Sequence, residues 1–233
     1  LAWLVAISPG RPDPLRDAAG NVIPGSLSER VTVEIGGIPQ GMIIQSVDPA
    51  NPVLLFLHGG PGMTEVFMEL DYPTGLERHF TMVWWDQRGA GMSFSADIPP
   101  ETMTMEQMIA DTIEVADYLR DRFGQDRILL LGHSWGSYLG IQVASAAPDR
   151  FHAYVGMAQI VHQLRSEVMA REYLLDAYRA RGDAAMVRRL EAAPVSMEAG
   201  TSPEWMRLRD AAMHRAGVGH TRDIDSVITG IFL

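Results

Sequence analysis

The sequence predicts an α/β protein, with a mostly parallel sheet interleaved with helices and then an all-helical region. Three observations predict it. Apolar runs at 53–57, 81–85 and 127–131 alternate with helical patterns, which implies β-α-β units and a parallel sheet. Two of these runs are continuously apolar, as expected of strands buried on both faces. From Leu164 onward one helical pattern follows another, with no buried-strand signal.

The elements follow in order. Leu1 to Ile7 are apolar but too few to span a bilayer. They read as a packed arm or as the tail of a trimmed signal or anchor segment. Residues 8–28 are rich in Pro, Gly and Asp and form an extended lead-in. Val31 to Ile35 alternates like a strand, Gly36-Gly37 marks a tight turn, and Met42 to Ser46 is the returning strand. Strands at Val53–Leu57 and Thr81–Trp85 follow. Thr104 to Phe123 is the clearest helix. Thr104 and Gln107 have capping-box spacing, Met108, Ile109, Thr112, Val115, Ala116 and Leu119 form a stripe, and Gly124 ends it. A strand at 127–131, a helix from Ser137 to Ala147, a Pro148-Asp149-Arg150 break and an apolar run from Ala153 to Ala158 complete the alternating part. Helices are expected at about 164–181, 183–193, 203–216 and 223–232. The resulting organisation is a lead-in at 1–28, a core at 29–158 and a helical region at 159–233, read as a lid over the site.

The chain's 233 residues suit one large domain or a core plus a small accessory domain. A net charge of −10 argues against a nucleic-acid partner, whose phosphates demand a basic surface. With no cysteine, disulfides and thiolate metal sites are excluded. No stretch is apolar enough for a stable membrane span, and the expected compartment is the cytoplasm unless an N-terminal signal has been trimmed.

Three motifs carry chemistry. Gly132-His133-Ser134-Trp135-Gly136 is a G-x-S-x-G pattern between a strand and a helix. A sharp turn there needs glycine at its flanks and presents the Ser134 hydroxyl at its tip, as a nucleophile elbow does. Chance alone would produce the pattern in about one chain in ten of this length, so its context carries the weight.

His58-Gly59-Gly60-Pro61-Gly62 follows the strand at 53–57. Such a turn aims backbone N–H groups at a ligand. The N–H of Gly60 or Gly59, paired with that of Trp135, would hold the oxyanion of a tetrahedral intermediate. A phosphate cradle is excluded because no Lys-Ser/Thr follows. A purely structural turn is the alternative.

Asp86-Gln87-Arg88-Gly89-Ala90-Gly91-Met92-Ser93 follows the strand at 81–85, where Asp86 and Arg88 are expected to pair and brace the oxyanion loop. The loop is a poor dinucleotide fingerprint, lacking a third glycine at the needed spacing. His58 reads as a scaffold histidine, and His133 points away from its neighbour in a sharp turn, so neither is the expected base. None of the seven histidines has metal-ligand spacing, and no metal or cofactor is implied.

In this order the three motifs resemble the proline iminopeptidase (prolyl aminopeptidase) group of the α/β-hydrolase superfamily over about residues 30–158. The resemblance implies the α/β-hydrolase fold, with a helical cap inserted after the sixth strand. It implies a Ser–Asp–His triad with Ser134 as nucleophile, supported by His58, Pro61, Gly62, Asp86, Arg88, Gly132 and Gly136. The implied activity is release of an N-terminal residue, often proline, from short peptides. A carboxylesterase or amidase with the same machinery is the alternative, and a non-catalytic binding protein on this scaffold is the rival from another class. Epoxide hydrolases and haloalkane dehalogenases share the fold but place Asp where Ser134 stands.

In this superfamily the acid and histidine follow the cap. The chain therefore reads as truncated within its cap, with the triad partners beyond Leu233 in a longer protein or on a second polypeptide that completes the fold. Iminopeptidases also hold the substrate amine with cap carboxylates. Glu167, Glu172, Glu191, Glu198, Glu204 and Asp225 are available, though none matches a family motif and solvated helix faces explain most.

Overall fold

Two adjacent glycines start the sheet. In the computed structural model, which describes residues 12–218, β1 (Leu27–Ile35) and β2 (Ile38–Ser46) pair antiparallel with Ile35 opposite Ile38. The two-residue loop is Gly36-Gly37, with φ of 54° and 74°. Positive φ at both positions gives the turn whose twist matches a hairpin. The pairing extends four residues beyond each predicted strand, to Leu27 and Ile38, where half-exposed residues blur the alternation.

β3 (Val53–Leu57) and β4 (Thr81–Trp85) have the predicted bounds and are buried throughout. With β5 (Ile128–His133) and β6 (Phe151–Met157) they complete a six-stranded sheet in the order β1-β2-β4-β3-β5-β6. The β4–β3, β3–β5 and β5–β6 pairs are parallel, and β2–β4 is antiparallel. The sheet is thus mostly parallel with an antiparallel hairpin at one edge.

Alternate side chains serve two cores, as strand geometry requires. Val53, Leu55, Leu57, Val83, Trp85, Ile128 and Leu130 pack with Val115, Ala116 and Leu119 of α2 (Met105–Phe123) and Leu139 and Val143 of α3 (Trp135–Ala146). Leu54, Phe56, Met82 and Trp84 form the opposite core, against Leu76, Phe80 and Val66 of α1 (Val66–Asp71), a short helix the sequence reading did not anticipate. At the start of α2, Thr104 Oγ1 accepts the Gln107 N–H at 3.2 Å. The Gln107 side chain turns instead to Asp111, so only half of the expected capping box forms. Gly124, at φ 62°, ends the helix as predicted.

The chain divides into two compact units between Ile160 and Val161. The second unit holds α4 (Gln163–Ala180), α5 (Ala184–Glu191) and α6 (Pro203–Ala216), packed around Leu174, Tyr178, Leu190, Trp205 and Leu208. Asp183 and Ser202 cap α5 and α6 by accepting the N–H of Met186 and Trp205. A minimal hairpin, β7 (Val195–Ser196) with β8 (Gly200–Thr201), joins them. Two-residue strands leave no periodicity to read, which is why the sequence did not announce it. The apolar segment at 1–7, His220, Asp225 and the expected helix at 223–232 lie outside the described residues. No helix among the described residues is long and apolar enough to cross a membrane.

Candidate active site

Parallel strands end together, and that is what assembles the three motifs. Leu57 at the end of β3 lies opposite Gly132 of β5 and Trp85 of β4. The segments beginning at His58, Asp86 and His133 therefore emerge side by side at the carboxyl edge of the sheet, the usual ligand edge of open α/β sheets.

Ser134 occupies the bend between β5 and α3 with φ 50° and ψ −116°. Residues with a side chain rarely adopt positive φ, and such strain clusters at functional sites. Its N–H continues the ladder to the Met157 carbonyl at 3.0 Å. The residue is half-buried, and its Oγ makes no hydrogen bond among the described residues. The bend is possible because neighbours lack side chains. A Cβ at Gly132 would stand 2.3 Å from the Gly136 carbonyl oxygen, and one at Gly136 would stand 2.0 Å from that of Leu57. The predicted need for glycine at both flanks is thus met by close approach of backbone rather than by positive φ.

The far side of the bend is held by Ser137, to which the sequence reading gave no role beyond the start of the helix. Its Oγ donates to the Ser134 carbonyl at 2.6 Å and accepts the Ile160 N–H at 2.9 Å. Gln159 Nε2 and Tyr154 Oη reach the Ser137 carbonyl at 3.1 Å and 2.8 Å.

The glycine-rich turn lies beside the elbow. His58 is only 2% exposed. The Gln87 N–H donates to its Nε2 at 3.1 Å, so Nδ1 carries the proton and donates to the Gly59 carbonyl at 2.9 Å. Both ring nitrogens are committed, as expected of a scaffold histidine. Gly60 has φ 113° and needs to be glycine. Gly60, Pro61 and Gly62 are exposed at the tip of the turn. The Gly59 N–H donates to Glu65 Oε1 at 3.1 Å, which removes Gly59 from the pair of candidate oxyanion donors. The N–H groups of Gly60 and Trp135 have no acceptor among the described residues. Trp135 is half-buried, its ring tilted against Tyr138 at 5.7 Å.

The Asp86–Arg88 ion pair does not form. Each finds its own partner instead, Asp86 within its own loop and Arg88 on α2. Asp86 Oδ2 accepts the Met92 N–H at 2.8 Å and closes the loop on itself. Burial pushes its carboxyl above the usual range, against the opposing pull of that N–H. Arg88 instead makes a bidentate pair with Asp111 of α2, at 2.7 Å and 3.0 Å, with side chains 1% and 0% exposed. Asp111 also accepts from Gln40 and Gln107, and Arg88 donates to the Gly36 carbonyl. Asp111 carried a readable signal, a carboxylate three residues after Met108 and four before Val115 on the apolar stripe.

His133 turns toward Glu65, with Nδ1 at 2.8 Å and 3.0 Å from its two carboxylate oxygens. The hydrogen bond to Glu65 raises the His133 pKa, burial opposes it, and the Glu65 charge adds to the rise. A folded pKa above the unfolded value of about 6.5 gives stability that is fully present below that pH. It is lost as pH climbs through the raised folded value. The stability advantage of the wild type over His133→Asn should therefore be full below about pH 6.5 and shrink as the pH rises above it. Thermal unfolding at each pH measures it, and a constant difference would exclude the charge-assisted contact.

Of the helical region's carboxylates, Glu172, Glu191, Glu198 and Glu204 are exposed. Glu167 is buried and engaged by Trp205, Arg209 and Gln163. No cluster of three or more acidic or histidine side chains is placed to hold a metal among the described residues.

A family model described as the alpha/beta hydrolase fold matches residues 52–216. The probable aminopeptidase YbaC of Bacillus subtilis (strain 168) is 42% identical over 142 residues, covering 61% of this chain and 45% of that protein. A probable proline iminopeptidase of Leptolyngbya boryana is 32% identical over 106 residues, 46% of this chain and 31% of that protein. The chain thus spans less than half the length of either relative. The solved proline iminopeptidase-related protein of Thermus thermophilus superposes with a TM-score of 0.52 at 24% identity, over 81% of this chain and 57% of that one, a likeness of fold. With a matched segment running from the foot of β3 through the elbow to the end of α6, the chain belongs to the α/β-hydrolase family.

Proposed function

We propose that this chain carries the nucleophile and oxyanion hole of a serine hydrolase, an aminopeptidase of the proline iminopeptidase kind. One observation carries the reading. Ser134 is held at positive φ with an unbonded hydroxyl, the glycine-rich turn abuts it at Gly59, and the backbone N–H groups of Gly60 and Trp135 are taken up by no acceptor among the described residues. Strain of this kind clusters at functional sites, and N–H groups that no protein acceptor takes up are available to a ligand.

In this reading Ser134 Oγ attacks the scissile carbonyl, and the N–H groups of Trp135 and Gly60 hold the oxygen as it becomes negative. A histidine takes the serine proton and passes it to the leaving group, oriented by a carboxylate, both following Ser134 in chain order. Water then releases the acyl group. Residues 159–233 are assigned as the cap. The names of the relatives favour an N-terminal residue of a short peptide as substrate, with an ester or amide as the alternative.

A fluorophosphonate probe should label the full-length protein at Ser134, mapped by peptide mass spectrometry, and leave Ser134→Ala unlabelled. Equal labelling of both proteins would refute the assignment. Hydrolysis of proline β-naphthylamide against p-nitrophenyl acetate then separates peptidase from esterase.

A further inference from the structure

We infer that Glu65 is a positioning residue for the reaction, clamping the glycine-rich loop to the elbow so that the Gly60 N–H stays registered to Ser134. The inference rests on the serine hydrolase reading above.

Glu65 is a carboxylate only 5% exposed, six residues after the backbone group it binds. One of its oxygens takes both the Gly59 N–H and the His133 ring, and the other takes His133 as well. The two contacts belong to different strand ends, β3 and β5, so the carboxylate ties one to the other. Space leaves little alternative. A Cβ at Gly59 would lie 2.9 Å from Glu65 Oε1 and 3.2 Å from Ser134 Cβ, so the Gly59 backbone is wedged between the two side chains. The residue whose N–H is tied by Glu65 is followed directly by Gly60, the proposed oxyanion donor.

A buried carboxylate is a poor device for stability alone, since apolar residues of similar volume usually serve as well. It is a good device for orientation, because two partners fix its plane. An error of about 1 Å at an oxyanion donor can cost about 100-fold in rate. His133 and Glu65 together resemble the acid–imidazole half of a proton relay. Yet Nδ1 faces the carboxylate, and no hydrogen bond joins the ring to Ser134 Oγ among the described residues. The pair braces the site and does not act as its base.

The test compares Glu65→Ala, Glu65→Gln and His133→Asn in the full-length protein, with kcat expressed per fluorophosphonate-titrated serine. Glu65→Ala should lower kcat about 10- to 100-fold with KM within about threefold, the mark of an interaction used in the transition state. Glu65→Gln keeps an acceptor for the Gly59 N–H and should recover part of the loss. It also stands as the test if the alanine variant does not fold. His133→Asn should lose about as much as Glu65→Gln. Three results would overturn the inference: unchanged kcat per titrated site in a folded Glu65 variant, a lowered melting temperature as the sole effect, or a loss in His133→Asn as deep as in Ser134→Ala. If Ser134→Ala itself keeps full activity, the hydrolase reading falls. If it is inactive while the Glu65 variants match wild type, only the positioning role falls.

Discussion

Ser134→Gly is expected to make the protein more stable while abolishing its activity. A side chain at φ 50° and ψ −116° costs about 1–3 kcal/mol. Glycine removes that cost and adds back about 0.5–1 kcal/mol of backbone entropy. The net gain is about 1 kcal/mol, or about 2–4 °C in melting temperature for a chain of this size. The same change removes the proposed nucleophile, and kcat in the full-length protein should fall by about 10⁴-fold or more, because nucleophile and base act as a unit. Thermal unfolding and substrate turnover measured on one preparation check both halves. A variant that is less stable than wild type would mean the bend is not strained. A variant that keeps its turnover would mean another group attacks.

Asp111→Ala should be severely destabilising, at about 3–5 kcal/mol. It leaves the Arg88 guanidinium buried with the Gly36 carbonyl as its remaining acceptor among the described residues and strips an acceptor from Gln40 and Gln107. Gln40 also receives the Trp85 indole N–H, so the disturbance reaches the sheet. Against a typical total of about 5–15 kcal/mol, the loss is severe. Replacing both partners with apolar residues, Arg88→Met with Asp111→Leu, should recover much of it, because no charge is then stranded. Urea unfolding of the three proteins measures this. A loss below about 1 kcal/mol in Asp111→Ala, or a double variant no better than the single, would contradict the account. The damage should extend to the site, since Arg88 adjoins Gln87, whose N–H fixes the His58 ring.

Expectation and structure divide along the range of the interactions. β3, β4 and α2 were legible because their signals are local: unbroken apolar runs, a cap and a terminal glycine. Ser134, Gly132 and Gly136 were legible because a strand-to-helix bend imposes its own spacing. The Asp86–Arg88 pair failed because it was inferred from nearness in sequence, whereas Arg88 finds its partner 23 residues away on α2. Glu65 was not legible at all. Nothing about a glutamate after a glycine-rich turn says that its oxygens meet Gly59 and His133, 68 residues downstream.

By itself, the sequence determined the class of fold, the strand-to-helix bend at Ser134 and the glycine-rich turn after β3. Each is dictated by short-range sterics: which residues tolerate a bend, which alternate on a strand, which end a helix. Only the tertiary structure decided that Gly59 is spoken for while Gly60 has no acceptor among the described residues, that Arg88 belongs to Asp111, and that Glu65 joins two strand ends. A buried polar group must find a partner wherever the packed chain brings one, and the fold brings partners from positions that no local pattern marks.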